Sequence, residues 1–560
     1  MVQLQHSAEL GPRQRFIYGA DAMWTRPDTG GTITGNNEED DDINEYGAYV
    51  QSETALSDKL DLVLALRYDD HNRLEDPEIS PRAALVYKPQ QTQTMRLTYN
   101  RAFSTPTTNN LYLDLVSSAD PFGLGANFAP VLGFNPAIAV RAQGTYRDGF
   151  DEGFTFPRDA GGRPMFRSPF APVAGLSSDQ YLPLDDPQFT NVMWGIGRSA
   201  ALAQFVPAFE QIAAGSIAQL LVANGMDAGD AQVVAGEQAQ ALAQALPGVI
   251  PAQLPGLQNV IARLNLETSG FDPVADTFDV PRSVSTITQT IELGYKGVLG
   301  GKLVVAVDAY QTKTEDFGGP LAVETPNVFL EPQSLAASLG QGIGEALADP
   351  ANEAIAQALG ALDQTTIPGV VEGNGNGSPV DELVGILVGG AARIPFGTVS
   401  PEQAYDPNAV LLTYRNFGDV TINGLDLSLA YYPDDNWTLT GNYSFVDDNF
   451  FSNLGGIADV ALNAPKHKVK VGAAYNFTDL GLELGGRVRY SDSFQLNSGV
   501  YVGEVESYNV VDLNLAYRLP TEQDLVLRLD VANVLDNSHR EFVGAPEIGR
   551  VVYGQIGIHF

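Results

Sequence analysis

Cysteine is absent from the sequence, and its absence excludes disulfide frameworks, thiolate zinc sites, iron–sulfur clusters and cysteine nucleophiles. Basic residues are scarce, because 32 Lys and Arg stand against 68 Asp and Glu, which gives a formal net charge of −36. A nucleic-acid binder needs basic residues to displace counterions from phosphate, so this charge argues against nucleic acid as a partner. Charged residues make up only 18% of the chain, compared with about 25% in an average soluble domain.

Long apolar runs are also missing. No stretch reaches the ~18 uninterrupted apolar residues of a membrane-spanning helix. The first residues, MVQLQH, have neither the basic nor the apolar region of a secretory signal. These absences argue against a helical membrane protein. They leave open a membrane-spanning β-barrel, whose strands are only half apolar.

The sequence does contain a repeated period of two. The even positions of 60–68 are four leucines and a tyrosine, whereas the odd positions include Asp61 and Arg67. The same alternation occurs in 422–431, 437–445, 482–490, 511–517 and 551–560. Alternation at 180° per residue predicts β-strands. A soluble sandwich also alternates, but strands of about 9–12 residues that end on tyrosines are long enough to cross a bilayer.

The connections between these strands alternate between short and long. Short links of a few residues separate long ones near 26–44, 70–78, 104–282, 317–418, 447–465, 491–507 and 536–549. This parity is typical of outer-membrane barrels, which have short periplasmic turns and long external loops. We therefore predict an all-β fold, a transmembrane antiparallel β-barrel with long, partly helical extracellular loops.

The predicted organisation has five parts. Residues 1–103 hold about six barrel strands, 104–282 a large loop, 283–316 two strands, 317–418 a second large loop, and 419–560 about seven strands. Complete bacterial barrels have an even strand number, so about fifteen strands together with a missing signal peptide predict an N-terminally incomplete piece of a longer parent.

Four motifs, in this order, resemble segments of the TonB-dependent outer-membrane receptors. They are ISPRAALVY at 79–87, RLTYNRAFSTPT at 96–107, NAPKHK at 463–468 and DVANVLD at 530–536. The final Phe560 resembles the terminal aromatic residue of the same barrels. The resemblance covers residues 1–103 and 283–560.

The resemblance implies a 22-stranded barrel, of which this chain carries about fifteen strands, filled by an N-terminal plug domain. Members of the family import scarce ligands such as siderophores, cobalamin or oligosaccharides, with energy delivered by TonB to an N-terminal box. The plug and the box have no counterpart in this sequence, so TonB would act only through the missing N-terminal region. The other implied partners are outer-membrane lipid, lipopolysaccharide and the barrel-assembly machinery, and the implied location is the bacterial outer membrane.

Two other functions remain open at the level of sequence. A passive porin would have a complete barrel with no plug, and a barrel hydrolase would have a catalytic cluster at the rim. No metalloprotease, nucleophile-elbow or phosphate-loop motif occurs, and the five histidines are scattered. We therefore predict no catalytic residue, no cofactor and no enzyme activity.

Three sets of residues are candidate sites. The first is a run of five acidic residues that is a weak candidate for a divalent cation, although a solvated acidic loop is the simpler interpretation. The second faces the barrel lumen, where a structural or plug-contacting role and direct ligand contact are both open. The third is the terminal strand as a barrel-assembly signal. The run is Glu38, Glu39, Asp40, Asp41 and Asp42; the lumen set is Arg67, Asp69, Asp426, Arg487, Arg489, Asp512, Arg528 and Asp530; the terminal set is Tyr553, Ile556, Ile558 and Phe560.

The acidity is concentrated in the predicted external loops. Residues 26–45, 104–282 and 317–418 together carry −24 of the net −36. Segments rich in Ala, Gln and Leu predict helices over 200–221, over 230–246 and over part of 334–362. These loops could form a vestibule for ligand capture or a shield, and their charge disfavours a strongly anionic ligand at the loop tips.

Overall fold

The computed structural model describes residues 1–147, 153–367, 371–498, 501–521 and 524–559. Its main element is one sheet of fifteen strands, here called the wall. The wall strands are β1 (Val2–Glu9), β2 (Gln14–Thr25), β3 (Ile43–Ser57), β4 (Leu60–His71), β5 (Glu78–Gln90), β6 (Gln93–Ser104), β7 (Thr286–Leu299), β8 (Leu303–Gly318), β9 (Asn416–Tyr431), β10 (Trp437–Val446), β11 (His467–Phe477), β12 (Leu482–Ser491), β13 (Tyr508–Leu519), β14 (Asp524–Ala532) and β15 (Val551–His559).

Each wall strand pairs antiparallel with the next wall strand along the chain. The links alternate as predicted: 58–59 and 300–302 are turns, whereas 105–285 and 319–415 are the two longest connections. β1 and β15 are the two ends of this sheet and are not paired with each other in the described part of the chain. The predicted antiparallel barrel sheet is confirmed.

One face of the wall is apolar and exposed. Leu64, Leu66 and Leu97 keep about half of their surface exposed, at 47%, 50% and 50%. Leu293 and Ile556 are exposed to 61% and 70% on the same face. A row of exposed leucine and isoleucine across many strands is the surface that a bilayer covers in a transmembrane barrel.

The opposite face is polar, and its charges pair across strands. The Arg67 guanidinium on β4 reaches over β3 to Asp21 on β2, with Nη1 2.9 Å from Oδ2, and Nη2 lies 2.6 Å from Asp69 Oδ1. It passes above Gly47, where an added Cβ would lie 2.3 Å from Arg67 Nη2 and 2.7 Å from Asp21 Oδ1. Gly47 therefore makes room for an ion pair that spans three strands.

The two longest connections fold together into one unit, here called the cap. Its hydrophobic core combines residues of 113–280 with residues of 323–412. The strand Val140–Gln143 pairs parallel with Val410–Thr413, and Asn327–Leu330 lies between Asn259–Leu264 and Gly397–Thr398. Residues 104–282 and 317–418, which the sequence predicts as two large loops, thus contribute apolar side chains to one shared core.

Seven helices and several short strands and 3₁₀ turns complete the described chain. The helices are α1 (Thr108–Tyr112), α2 (Leu124–Leu132), α3 (Pro187–Ala223), α4 (Ala228–Ala245), α5 (Pro332–Leu347), α6 (Glu353–Leu359) and α7 (Val380–Ala391). The remaining strands are Asp114–Ser118, Met165–Phe166, Leu182–Pro183, Phe271–Val274, Ala322–Val323, Thr366–Ile367, Val371–Glu372, Phe450–Leu454, Ala458–Ala461, Phe494–Asn497 and Val502–Val505. The 3₁₀ turns are Gly35–Asn37, Ala171–Ala174, Leu246–Val249, Pro350–Asn352, Leu362–Gln364 and Thr478–Leu480.

The predicted helices are present, but α3 is longer than expected. It begins at Pro187 because Asp186 caps it, accepting hydrogen bonds from the backbone N–H groups of Gln188 and Phe189. α3 also contains an 18-residue window of mean hydropathy 1.4, so by length and composition it is long and apolar enough to cross a membrane. The criterion of uninterrupted apolar residues missed it because polar and charged residues, among them Arg198, Gln204 and Glu210, interrupt the run.

Replacing Gly47 by alanine should destabilise the wall. The new Cβ displaces the Arg67 guanidinium from Asp21, and overpacking of this kind costs about 1–3 kcal/mol. Gly441→Ala is the matched control, because a Cβ at this strand position meets nothing within 4 Å. Thermal unfolding in detergent should show a lower midpoint for Gly47→Ala alone. Equal midpoints for the two variants would contradict the role assigned to Gly47.

Candidate functional site

The polar face of the wall carries all of the lumen-facing residues predicted from the sequence. Cross-strand partners share a face, and they connect Arg67 on β4 to Asp530 on β14 without a change of side. Around Arg487, for example, Asp512 lies directly opposite on β13, and Asn514, two residues on, lies opposite Asp530. The register therefore places the eight residues of the lumen set on one surface.

Asp426 belongs to an acidic group at the middle of the wall. Its cross-strand partner on β8 is Asp308, another carboxylate. Arg96 on β6 balances this group, since it pairs with Glu292 and places Nη2 3.0 Å from Asp308 Oδ1. Gly294 lies beneath the arginine, and an added Cβ there would be 2.7 Å from Arg96 Nε. As with Arg67 over Gly47, an arginine here crosses a glycine on the neighbouring strand to reach a carboxylate on the strand beyond.

A basic patch lies on β11 and β12 and consists of Lys468, Lys470, Arg487 and Arg489. Arg487 Nη2 and Arg489 Nε both bind Asp512 Oδ2, at 2.9 and 3.2 Å. Lys470 lies directly opposite Arg489. Like charges facing each other across a strand pair are unfavourable. The patch therefore presents more positive charge than its own carboxylates balance, and it suits an acidic group brought from outside the wall.

The last two predicted lumen residues line hollows beside this patch. Asp530 borders a hollow of about 390 Å³ together with Arg487 and Asp512. Arg528 borders a second hollow, of about 550 Å³, together with Arg518 and Glu483. Both hollows therefore bring charged side chains of neighbouring strands together at one opening.

The acidic run has a local structural role in the loop 26–42. Glu38 accepts hydrogen bonds from the Thr29 and Thr34 hydroxyls, at 2.5 and 2.6 Å, and from the backbone N–H groups of Thr29, Gly30 and Gly31. These bonds, chiefly that from the Thr29 side chain, lower the pKa of Glu38 to about 2. Glu38 thus organises the loop as an internal anion.

The run is not gathered into a metal site. Within the described ranges, no group of three or more Asp, Glu or His side chains is placed to hold a metal ion. Both oxygens of Glu38 are already occupied by donors. Asp41 points inward, and burial raises its pKa, while Glu39 and Asp40 are exposed. Asp42 pairs instead with Arg26 at 2.9 Å.

The same acidic loop holds the cap to the wall. The Asn36 backbone and side-chain N–H groups donate to Asp114 Oδ2 at 2.8 and 2.7 Å. Asn37 donates to the backbone oxygen of Tyr112 at 2.8 Å. Gly35 lies so close that an added Cβ would be 2.4 Å from the backbone oxygen of Asp114. The loop therefore attaches the cap to strands β2 and β3 of the wall.

A cation–π cluster makes a second contact between cap and wall. The Arg73 guanidinium lies 4.9 Å from the Tyr146 ring centroid and donates to its hydroxyl at 2.9 Å. Arg282 lies 5.1 Å from the same ring and donates to the Arg73 backbone oxygen at 2.5 Å. Arg73, in the loop after β4, thereby holds Tyr146 and Arg282, two residues of the longest connection, against the rim of the wall.

The terminal strand β15 presents an apolar outer edge. Ile556 and Ile558 are exposed to 70% and 48%, and Tyr553 is exposed to 58% on the polar side. Phe560 lies outside the described residues. An exposed apolar last strand is what a barrel-assembly signal requires, and that role remains a prediction.

A wall with an apolar outer face, a charged inner face and a cap over the end bearing the long connections defines a transmembrane β-barrel of the outer-membrane class. Within this class, the chain belongs to the family of TonB-dependent receptor-like β-barrels, whose family model matches residues 2–154 and 285–534. The unmatched stretch between them lies within the cap. This is a family of receptors and transporters.

Several solved structures resemble the chain at low identity. They include the siderophore receptor PirA from Acinetobacter baumannii, with 12% identity and a TM-score of 0.44, and the FrpB iron transporter from Neisseria meningitidis, with 10% and 0.43. A mutant of the ferric enterobactin receptor PfeA from Pseudomonas aeruginosa, in complex with enterobactin, gives 11% and 0.44. Each match covers 99% of this chain and 53% of the other, so the chain spans about half the length of these proteins. No curated protein matched the sequence.

Several residues important to the site were not predicted. Asp21 and Asp308 are charges on the polar face of strands, and the alternation of β2 and β8 could have identified them. Arg73 and Tyr146 lie in loops, and their contact joins residues 73 positions apart without any periodic signal. Only the fold brings such pairs together.

Replacing Glu38 by glutamine should loosen the acidic loop at pH 7. Because folding lowers the pKa of Glu38, its contribution is complete above about pH 4.5 and is lost as the pH falls through about 2. Hydrogen–deuterium exchange should show faster exchange of the amides of 29–31 in Glu38→Gln, with no change in Glu39→Gln. Unchanged exchange in both variants would refute this role of Glu38.

Proposed function

We propose that this chain is the β-barrel part of a receptor in the bacterial outer membrane that binds a scarce small molecule and imports it with energy from TonB. The observation that carries the proposal is the family match, because the matched residues build the whole wall up to β14. The ligand is a siderophore, cobalamin or an oligosaccharide. The acidic cap disfavours a strongly anionic ligand at the outer surface.

We assign the lumen set and the basic patch to contacts with the plug domain. In the intact parent they face the plug domain, whose acidic groups balance the positive charge of Lys470, which has no ion pair among the described residues. Charged contacts of this kind fix the orientation of the plug and yield when TonB pulls on it. TonB itself acts through the N-terminal region of the parent.

The remaining partners follow from the outer surface. Bilayer lipid and lipopolysaccharide cover the apolar face that carries Leu64 and Leu293, and the barrel-assembly machinery receives the terminal strand with Ile556 and Ile558. The cap is the first part of the protein that a ligand meets, and it serves as a vestibule.

Uptake measurements test the proposal directly. Deleting the parent gene should abolish uptake of one labelled ligand among a ferric siderophore, cobalamin and an oligosaccharide, and the intact gene should restore it. A protonophore should stop that uptake, because TonB coupling depends on the inner-membrane proton gradient. Uptake that persists with the protonophore, together with solute-driven swelling of liposomes, would identify a passive porin instead. Hydrolysis of the ligand at the cell surface would identify a barrel enzyme.

A substitution in the basic patch tests the plug contact. Lys470 is exposed, and in the described structure it has no ion pair of its own. If it only shapes the wall, Lys470→Gln removes a repulsion with Arg489, so the unfolding midpoint rises and uptake is unchanged. If it contacts the plug, uptake by the parent falls about two- to fivefold, as expected for loss of a partly exposed charged contact. Lys59→Gln, in the turn at 58–59, is the matched control.

A further inference from the structure

A half-open apolar cavity of about 700 Å³ lies at the surface of the cap, between α2, the first half of α3 and the end of α7 with the segment that follows it. Its lining is mostly aliphatic and aromatic and includes Phe122, Leu124, Phe128, Leu132, Ile196 and Ile394. Two of the rings are held from behind, since Phe128 packs edge-on against Phe170 and Phe122 packs against Phe271, with each pair of centroids 5.5 Å apart. The positions of these two lining rings are therefore fixed by aromatic side chains packed behind them.

The cavity remains open because α3 has a glycine where it faces the space. Gly195 lines the cavity, and a Cβ added there would meet nothing within 4 Å. A volume of this size falls in the range of about 300–1,000 Å³ that is typical of small-molecule sites.

A single cation, Arg393, stands at the cavity. The segment 317–418 contains two basic residues against eleven acidic ones. The other, Arg415, pairs with the buried Glu324 at 3.4 Å. Arg393 is exposed, and it forms no hydrogen bond or ion pair within the part of the chain that the structure describes. In a cap rich in carboxylates, this exposed cation, which has no ion pair among the described residues, lies beside the apolar cavity.

We propose that this cavity binds a single-chain amphiphile with one anionic head group. The alkyl chain of the amphiphile occupies the apolar cavity, and its head group binds Arg393. A guanidinium binds a carboxylate or a phosphate through two parallel hydrogen bonds, which suits either head group. Asn127 and Gln204, both exposed at the cavity, offer further amide donors. A cationic amphiphile is repelled by Arg393, and a polyanion is repelled by the acidic surroundings.

This site is independent of the import function, because it lies within the cap and uses none of the residues of the wall. Much of its lining, from Phe122 to Leu132 and from Gly390 to Pro395, falls within the range of the family match, whereas the α3 residues do not. The amphiphile is accordingly a ligand of this cap, whether or not the wall transports anything.

Calorimetric titration of the full chain in lipid nanodiscs tests the proposal, with empty nanodiscs titrated in parallel. Decanoate and decyl phosphate represent a free fatty acid and a lipid phosphate, and decanol is the neutral counterpart. We expect saturable binding of at least one anion, at least about fivefold tighter than decanol, as a charge-assisted contact implies. No binding above the empty nanodiscs, or decanol binding as tight as the anions, would overturn the proposal. If decanoate binds more tightly, the natural ligand is a free fatty acid; if decyl phosphate binds more tightly, it is a lipid phosphate.

Two variants locate the site. Arg393→Gln should remove the preference for the anions over decanol, whereas Arg13→Gln, an exposed arginine at a turn of the wall, should retain it. Gly195→Leu should fill the cavity and weaken all three probes at least tenfold. Gly215→Leu is its matched control, because it lies in the same helix and its Cβ also meets nothing within 4 Å. Unchanged binding in Gly195→Leu would overturn the assignment to this cavity even if Arg393→Gln had an effect.

Discussion

Hydrogen bonding between neighbouring backbones is the constraint from which the rest of this structure follows. In a bilayer no water is available to satisfy an exposed N–H or C=O group, so each strand within the wall must be paired along its length on both sides. Fifteen antiparallel strands in chain order meet this demand, apart from the outer edges of β1 and β15. Because pleated strands turn alternate side chains to opposite faces, the same pairing fixes an apolar surface and a polar surface along every strand.

On the polar surface, charged side chains of neighbouring strands lie close together, and many of them are paired with opposite charges. The chain has 32 basic residues, and several of them are used to bridge carboxylates across strands. Arg67 and Arg96 each extend over a glycine, so that one side chain joins three strands. Where the carboxylates are fewer, as around Lys470, the surface is left positive. The wall thus contains satisfied clusters that stabilise it and one unbalanced patch that is available to a partner.

The wall was predictable from the sequence because a period of two is a local signal that repeats in every strand. Positions such as Leu64 and Asp512 could be assigned to a face before any pairing was known, and the register agrees with the assignment. The cap was not predictable in the same way. Its helices could be recognised, but its core joins Trp194 and Phe396, about 200 residues apart and without a shared period. The acidic run illustrates the same limit, because charge density alone does not reveal that Glu38 faces a ring of backbone donors.

The parallel pairing of Val140–Gln143 with Val410–Thr413 has a consequence for the order in which the molecule forms. Between these two segments the chain runs down and up the wall as β7 and β8. Because β7 and β8 pair as a hairpin, they bring residues 285 and 319, the end of one connection and the start of the other, to the same end of the wall, which favours closure of the cap core. Before the core closes, the apolar side chains of its helices are exposed, and the surrounding carboxylates favour their solubility. The excess negative charge, which in the finished protein is a surface property, is during folding a safeguard against aggregation.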